Sequence, residues 1–97
     1  MQVIARRTIR EFYARHPDAK APLESWYHEM DAATWQSPAE IRARYSTASF
    51  IKDNRVVFKI GGNKYRLVAK INYAYQKVFI RFLGTHKEYD RINVEEI

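Results

Sequence analysis

Three runs of side chains dominate the second half of the chain and constrain its fold more than any other feature. They are Val56-Val57-Phe58-Lys59-Ile60, Tyr65-Arg66-Leu67-Val68-Ala69-Lys70-Ile71 and Val78-Phe79-Ile80-Arg81-Phe82-Leu83. Each is rich in β-branched and aromatic residues, with the two-residue alternation of a half-buried strand. Asn54-Arg55 and Gly61-Gly62-Asn63 are turn signals on either side of the first run. The turn near Tyr75-Gln76 has neither Gly nor Pro and is the hardest to place. Connections this short join antiparallel neighbours, because a parallel return needs a long crossover.

The first half reads differently. Residues 2–4 suit a short opening strand, and a helix is expected from about Ala5 to His16, with Ile9, Phe12 and Tyr13 on one face. His16 precedes Pro17, which disfavours the helical region and ends it. A second helix runs to about Ala33, with Leu23, Trp26, Tyr27 and Met30 at the spacing of a buried stripe. Pro22 then falls in its first turn, where a missing N–H costs nothing. Ser37-Pro38-Ala39-Glu40 reads as the capping box of a third helix ending near Tyr45-Ser46. Trp26 and Trp35 are expected as core anchors. All three prolines lie in this half and all three glycines in the other. The expected architecture is an α+β domain, with N-terminal helices packed on one face of a small, mostly antiparallel sheet.

At 97 residues the chain holds a single domain, taken as 1–97. With no cysteine it has no disulfide, no thiolate zinc site and no thiol nucleophile. No apolar run is long enough for a membrane span, and no apolar stretch of signal-peptide length precedes Arg6-Arg7. A cytoplasmic protein without a membrane partner is expected.

The net charge is +6, and its distribution is uneven. Residues 1–50 hold 7 basic and 6 acidic side chains, whereas residues 51–97 hold 10 and 5. Strand parity assigns faces: Val56, Phe58 and Ile60 on one side of the first run, and Val57 and Lys59 on the other. Tyr65, Leu67, Ala69 and Ile71 form an apolar face on the second run. Lys64, Arg66 and Lys70 point oppositely, with Val68 and Asn72. On the third run Arg81 groups with Phe79 and Leu83, against Val78, Ile80 and Phe82. One face thus gathers Lys59, Arg66, Lys70 and Arg81, and residues 54–87 contain no carboxylate. A solvated face normally mixes both signs, so this one suits a polyanion.

The run Val57 to Val68, with its Gly61-Gly62-Asn63 turn and Tyr65-Arg66-Leu67, resembles the HigB family of bacterial toxins within the RelE-like group. So does Phe79 to Asp90, with Gly84-Thr85-His86 followed by Tyr89-Asp90. Trp26-Tyr27, Trp35, Ser37-Pro38 and Ser49-Phe50 extend the resemblance over essentially the whole chain. It implies the RelE-like fold, helices on a four- or five-stranded sheet. It further implies the toxin of a type II toxin–antitoxin pair, an endoribonuclease cutting mRNA on the ribosome, partnered by a HigA-like helix-turn-helix antitoxin.

Cleavage of RNA without metal uses the ribose 2′-hydroxyl as nucleophile. It needs a base, cations at the phosphate and an acid for the leaving oxygen. The residues fit that route better than a two-metal one, which wants clustered carboxylates. His86, Glu88 and Asp90 alone make a poor metal site, so neither metal nor small-molecule cofactor is expected. Lys59 and Arg66 are the candidates to hold the scissile phosphate. In the RelE-like group an arginine in the matching Tyr-Arg-Leu strand has that role, which points to Arg66. His86 is the candidate proton-transfer group, and Tyr89 a base-stacking or phosphate-binding one. Asp90 either orients His86 or caps the terminal segment. Lys64, Lys70, Arg81, Lys87 and Asn63 complete the expected RNA-binding set. The rival reading is a non-catalytic module using the same face on ribosomal RNA or a gyrase-type target.

Overall fold

The computed structural model describes all residues 1–97. The order of elements is β1 (Gln2–Ile4), α1 (Arg6–Arg15), a 3₁₀ turn at Pro17–Ala19, α2 (Lys20–Ala32), α3 (Pro38–Arg44), β2 (Ser49–Ile51), β3 (Arg55–Ile60), β4 (Tyr65–Asn72), β5 (Lys77–Thr85) and α4 (His86–Tyr89). The strands form one sheet in the order β1-β5-β4-β3-β2. All neighbours are antiparallel except β1, which pairs in parallel with β5. This is the α+β architecture expected from the sequence, with β1 as the parallel edge.

The helices cover one sheet face. Ile9 and Phe12 of α1, Leu23, Trp26 and Met30 of α2 and Ile41 of α3 close over Val56, Phe58, Leu67, Ala69, Ile71 and Val78 in one hydrophobic cluster. Trp26 and Tyr45 both meet the Phe58 ring edge-on. Trp35 is anchored by its indole N–H, which donates to the Met30 carbonyl at 3.3 Å. No helix is long and apolar enough to cross a membrane.

Three local expectations need correction, and two features were not foreseen. Arg55 is not a turn residue: the turn lies at Lys52–Asn54, where Asp53 and Asn54 take positive φ, and Arg55 opens β3. Strand β2, too short to stand out in sequence, pairs Phe50 with Val56 and is an added edge. Ser37 does cap α3, but Glu40 reaches back to the Gln36 N–H and not to that of Ser37, so the box is incomplete. A complete capping box forms instead at Thr85 and Glu88, at the start of α4. The third correction concerns β5, where a bulge interrupts pairing: Val68 faces Phe82 and Ala69 faces Ile80, so Arg81 is the extra residue. A bulge of this kind inverts the parity downstream of it. Phe79 and Phe82 therefore share the face turned from the helices, and Leu83, Ile80 and Val78 lie on the helix side.

The turn without Gly or Pro is held by Gln76, which takes φ 54°. Its side-chain amide accepts from the Trp35 N–H and donates to the carbonyls of Trp35 and Tyr73. At the opposite edge, Arg55 donates to the Ile97 carbonyl at 2.9 Å and Lys52 pairs with Glu95, bringing residues 95–97 back to the start of β3.

Candidate active site

The face turned from the helices carries the charge. Register places Lys59 opposite Arg66 and Arg66 opposite Gly84, one row across β3, β4 and β5. Two residues beyond Gly84, the His86 N–H donates to the Lys64 carbonyl at 3.0 Å, tying the start of α4 to the end of β4. The Thr85–Glu88 capping box fixes this helix turn. Its backbone and side-chain hydrogen bonds from Thr85 lower the Glu88 pKa. His86 is thus set on a short, pinned helix at the end of the row.

Arg66 is the unusual member. It is only 6% exposed, yet it takes part in none of the chain's ion pairs. Its guanidinium donates to the carbonyls of Asn63 at 3.0 Å and Tyr65 at 3.2 Å, with the Asn63 side-chain oxygen at 3.5 Å. Neutral acceptors orient a buried cation without cancelling its charge. Asn63 also lines, with Thr47, Lys59 and Gly62, an open cleft of about 440 Å³. Lys59 is exposed beside this cleft and likewise has no acidic partner. The arrangement can hold an anion: one guanidinium fixed by carbonyls, one exposed ammonium and a polar cleft at the same end of the sheet.

His86 contacts Asp90 through Nδ1 at 3.1 Å. With Nδ1–H donating to the carboxylate, Nε2 carries the lone pair able to accept a proton. Asp90 also occupies the C-cap position of α4. Tyr89 is half-buried, its ring 6.3 Å from that of Phe82. Gly84 leaves room for the Phe82 ring: an added Cβ would stand 2.6 Å from the tip of that ring and 3.0 Å from Glu88 Oε1, so a side chain would have to shift.

The remaining candidates divide. Lys70 lies on the same face as Arg66, at the far end of β4, and Arg81 is exposed at the bulge. Lys87 is exposed on α4 beside His86. The structure sets Lys64 apart, because it precedes β4 and pairs with Asp18 at 2.9 Å. The Tyr65 hydroxyl donates to the same carboxylate. That bond, then the Lys64 one, lower the Asp18 pKa, while Tyr65 and Lys64 are both raised. Lys64 therefore closes the seam between the 3₁₀ turn and the sheet. Sequence reasoning missed Thr47 in the cleft and Phe82 over Gly84.

Sequence comparison adds a finding of another kind. The protein described as "mRNA interferase toxin HigB" of Escherichia coli (strain K12) is 29% identical over 92 residues, covering 93% of this chain and 88% of that protein. An "mRNA interferase HigB" of Shigella flexneri has the same identity and coverage. Another, of Escherichia coli O6:H1, is 26% identical over 94 residues, covering 95% of this chain and 91% of that protein. Residues 19–92, which span α2 to α4 and every residue of the candidate site, match the family described as HigB_toxin, RelE-like toxic component of a toxin–antitoxin system. By its sequence and by its helices on a five-stranded sheet, the chain belongs to that HigB toxin family.

Proposed function

We propose that this chain is a cytoplasmic endoribonuclease that cuts mRNA within the translating ribosome, without a metal ion, and is held inactive by a HigA-like antitoxin. The observation that carries the reading is Arg66, a nearly closed guanidinium with only neutral partners, in one row with Lys59 and Gly84 and close in register to His86. Related proteins named mRNA interferases, similar over most of the chain, support reading that anion as an RNA phosphate.

In this mechanism Arg66 and Lys59 hold the scissile phosphate and offset the charge that builds as the adjacent 2′-hydroxyl attacks phosphorus. The 2′-oxygen forms a bond to phosphorus as the bond to the 5′-oxygen breaks, leaving a cyclic phosphate and a free 5′-hydroxyl. His86, held through Nδ1 by Asp90, moves the proton that the 2′-hydroxyl loses and the departing 5′-oxygen regains. Tyr89 lies beside it to stack on a base or bond the phosphate. Asn63 positions Arg66 and lines the cleft that the strand enters, and Lys87 and Arg81 guide the strand.

The test is to map the 5′ ends of cellular RNA after brief induction, then repeat the cleavage with purified ribosomes in EDTA. The expected result is new ends within translated messages, retained in EDTA and lost without ribosomes. Intact messages accompanied by DNA damage would instead establish the gyrase-type binding module.

A further inference from the structure

A second cleft, of about 350 Å³, opens at the other end of the basic face. That volume lies within the range of small-molecule sites. Asn54, Lys70, Asn72, Tyr73, Ala74 and Phe79 line it. Register places Lys70 opposite Phe79 on the face shared with Arg66, and Asn72 two residues further along. Phe79 is half-buried, and Lys70 is half-buried without a carboxylate partner. The Asn54 backbone carbonyl accepts from the Ile71 N–H at 2.9 Å, which ties its turn to β4. Its side-chain amide makes no hydrogen bond within the chain. Asn72 uses its side-chain oxygen for the Tyr75 N–H and keeps its NH₂ free. Tyr73 borders the cleft, while its ring packs against the core and its hydroxyl is buried with no partner.

An aromatic wall, free amides and one ammonium make a donor set for a nucleotide. A base stacks on the ring, amides meet its edge, and the cation meets its phosphate. Lys70 is the only cation at the cleft, which matches the single charge of a diester and not the several charges of a free di- or triphosphate. We propose that this cleft is a base-binding subsite for the RNA strand, holding one nucleotide away from the bond that is cut. Four residues of β4 separate Lys70 from Arg66, about 13 Å along a strand, so one RNA strand following the face reaches both. The proposal rests on the RNA-cleaving reading of the Arg66 site, and its test does not depend on cleavage.

The experiment is a ¹H–¹⁵N NMR titration of the full chain with adenosine monophosphate, uridine monophosphate and inorganic phosphate, none of which offers a bond to cut. The expected result is that the nucleotides shift the amides of residues 70–74 and Phe79, whereas phosphate at equal concentration does not. Phe79→Leu should weaken that binding about tenfold, and Lys70→Ala, at a half-buried position, gives a second variant that keeps the fold. Equal shifts by phosphate and nucleotide, shifts confined to Lys59 and Arg66, or no shifts at all would overturn the subsite. If RNA mapping shows no cutting while the nucleotide shifts persist, the cleavage reading fails and the subsite stands.

Discussion

Arg66 and Leu67 are neighbours on β4, and both are almost closed to solvent, at 6% and 0% exposure. They face opposite sides of one sheet and are buried for opposite reasons. Leu67 is covered by apolar side chains, and its burial is itself the source of stability. Arg66 is covered while charged, and main-chain carbonyls hold it in one geometry. Val57 and Val68 share its face and are also buried, yet stand outside the helix-side core. Low exposure alone therefore does not separate scaffold from site. The chemistry of the covering atoms does.

Substitutions on the two faces should separate stability from activity. His86→Gln should slow RNA cleavage by about 100- to 10,000-fold, and Arg66→Ala by about 100- to 1,000-fold, each measured beside a melting curve close to that of the parent chain. A folded Arg66→Ala chain that still arrests growth would remove Arg66 from the site. Leu67→Ala should do the reverse, lowering unfolding free energy by about 2–5 kcal/mol in urea titrations while the folded fraction still cuts.

Gly84 tests the comparison at its edge. Gly84→Ala drives a methyl into the Phe82 ring and should cost about 1–3 kcal/mol. The loss should nearly vanish in a Phe82→Ala background, where the obstructing ring is gone. A full loss in both backgrounds would locate the conflict at Glu88.

The smallest effect lies at the seam. Because the Asp18 carboxyl is held below its ordinary range by Tyr65 and Lys64, the unfolded chain takes up its proton first as pH falls. The stability it contributes is complete above the usual carboxylate pKa of about 4 and is lost as pH drops through the folded value. The urea midpoints of the parent chain and Asp18→Asn should thus differ at neutral pH and converge in acid. Lys64→Ala should lower the neutral-pH midpoint in the same way and leave cleavage unchanged.

Much of this was written in local pattern. The alternation through Val56–Ile60 and Tyr65–Ile71 placed Lys59, Arg66 and Lys70 on one face and left the apolar set for the helices. Pro22, Ser37 and Pro38 marked helix starts at the expected places. What escaped depended on distant partners or on geometry without a residue signature. The bulge at Arg81 has no glycine to announce it, and it moved Phe82 across the sheet. Lys64 has the strand parity of an RNA-facing residue, but its partner Asp18 lies 46 positions away. The Thr85–Glu88 box was legible by its Thr-x-x-Glu spacing. It is what turns the His86 segment from a loose tail into a helix.

The carbonyls that hold Arg66 also set when its freedom is lost. A long side chain gathered from solvent onto a ligand surrenders up to about 2 kcal/mol of rotamer entropy at the moment of binding. Arg66 has surrendered its own already, during folding, to the backbone of Asn63 and Tyr65. In the proposed mechanism an arriving phosphate meets a donor that does not have to be ordered, so the tightness of the Gly61-Gly62-Asn63 hairpin would govern how readily that phosphate is gripped.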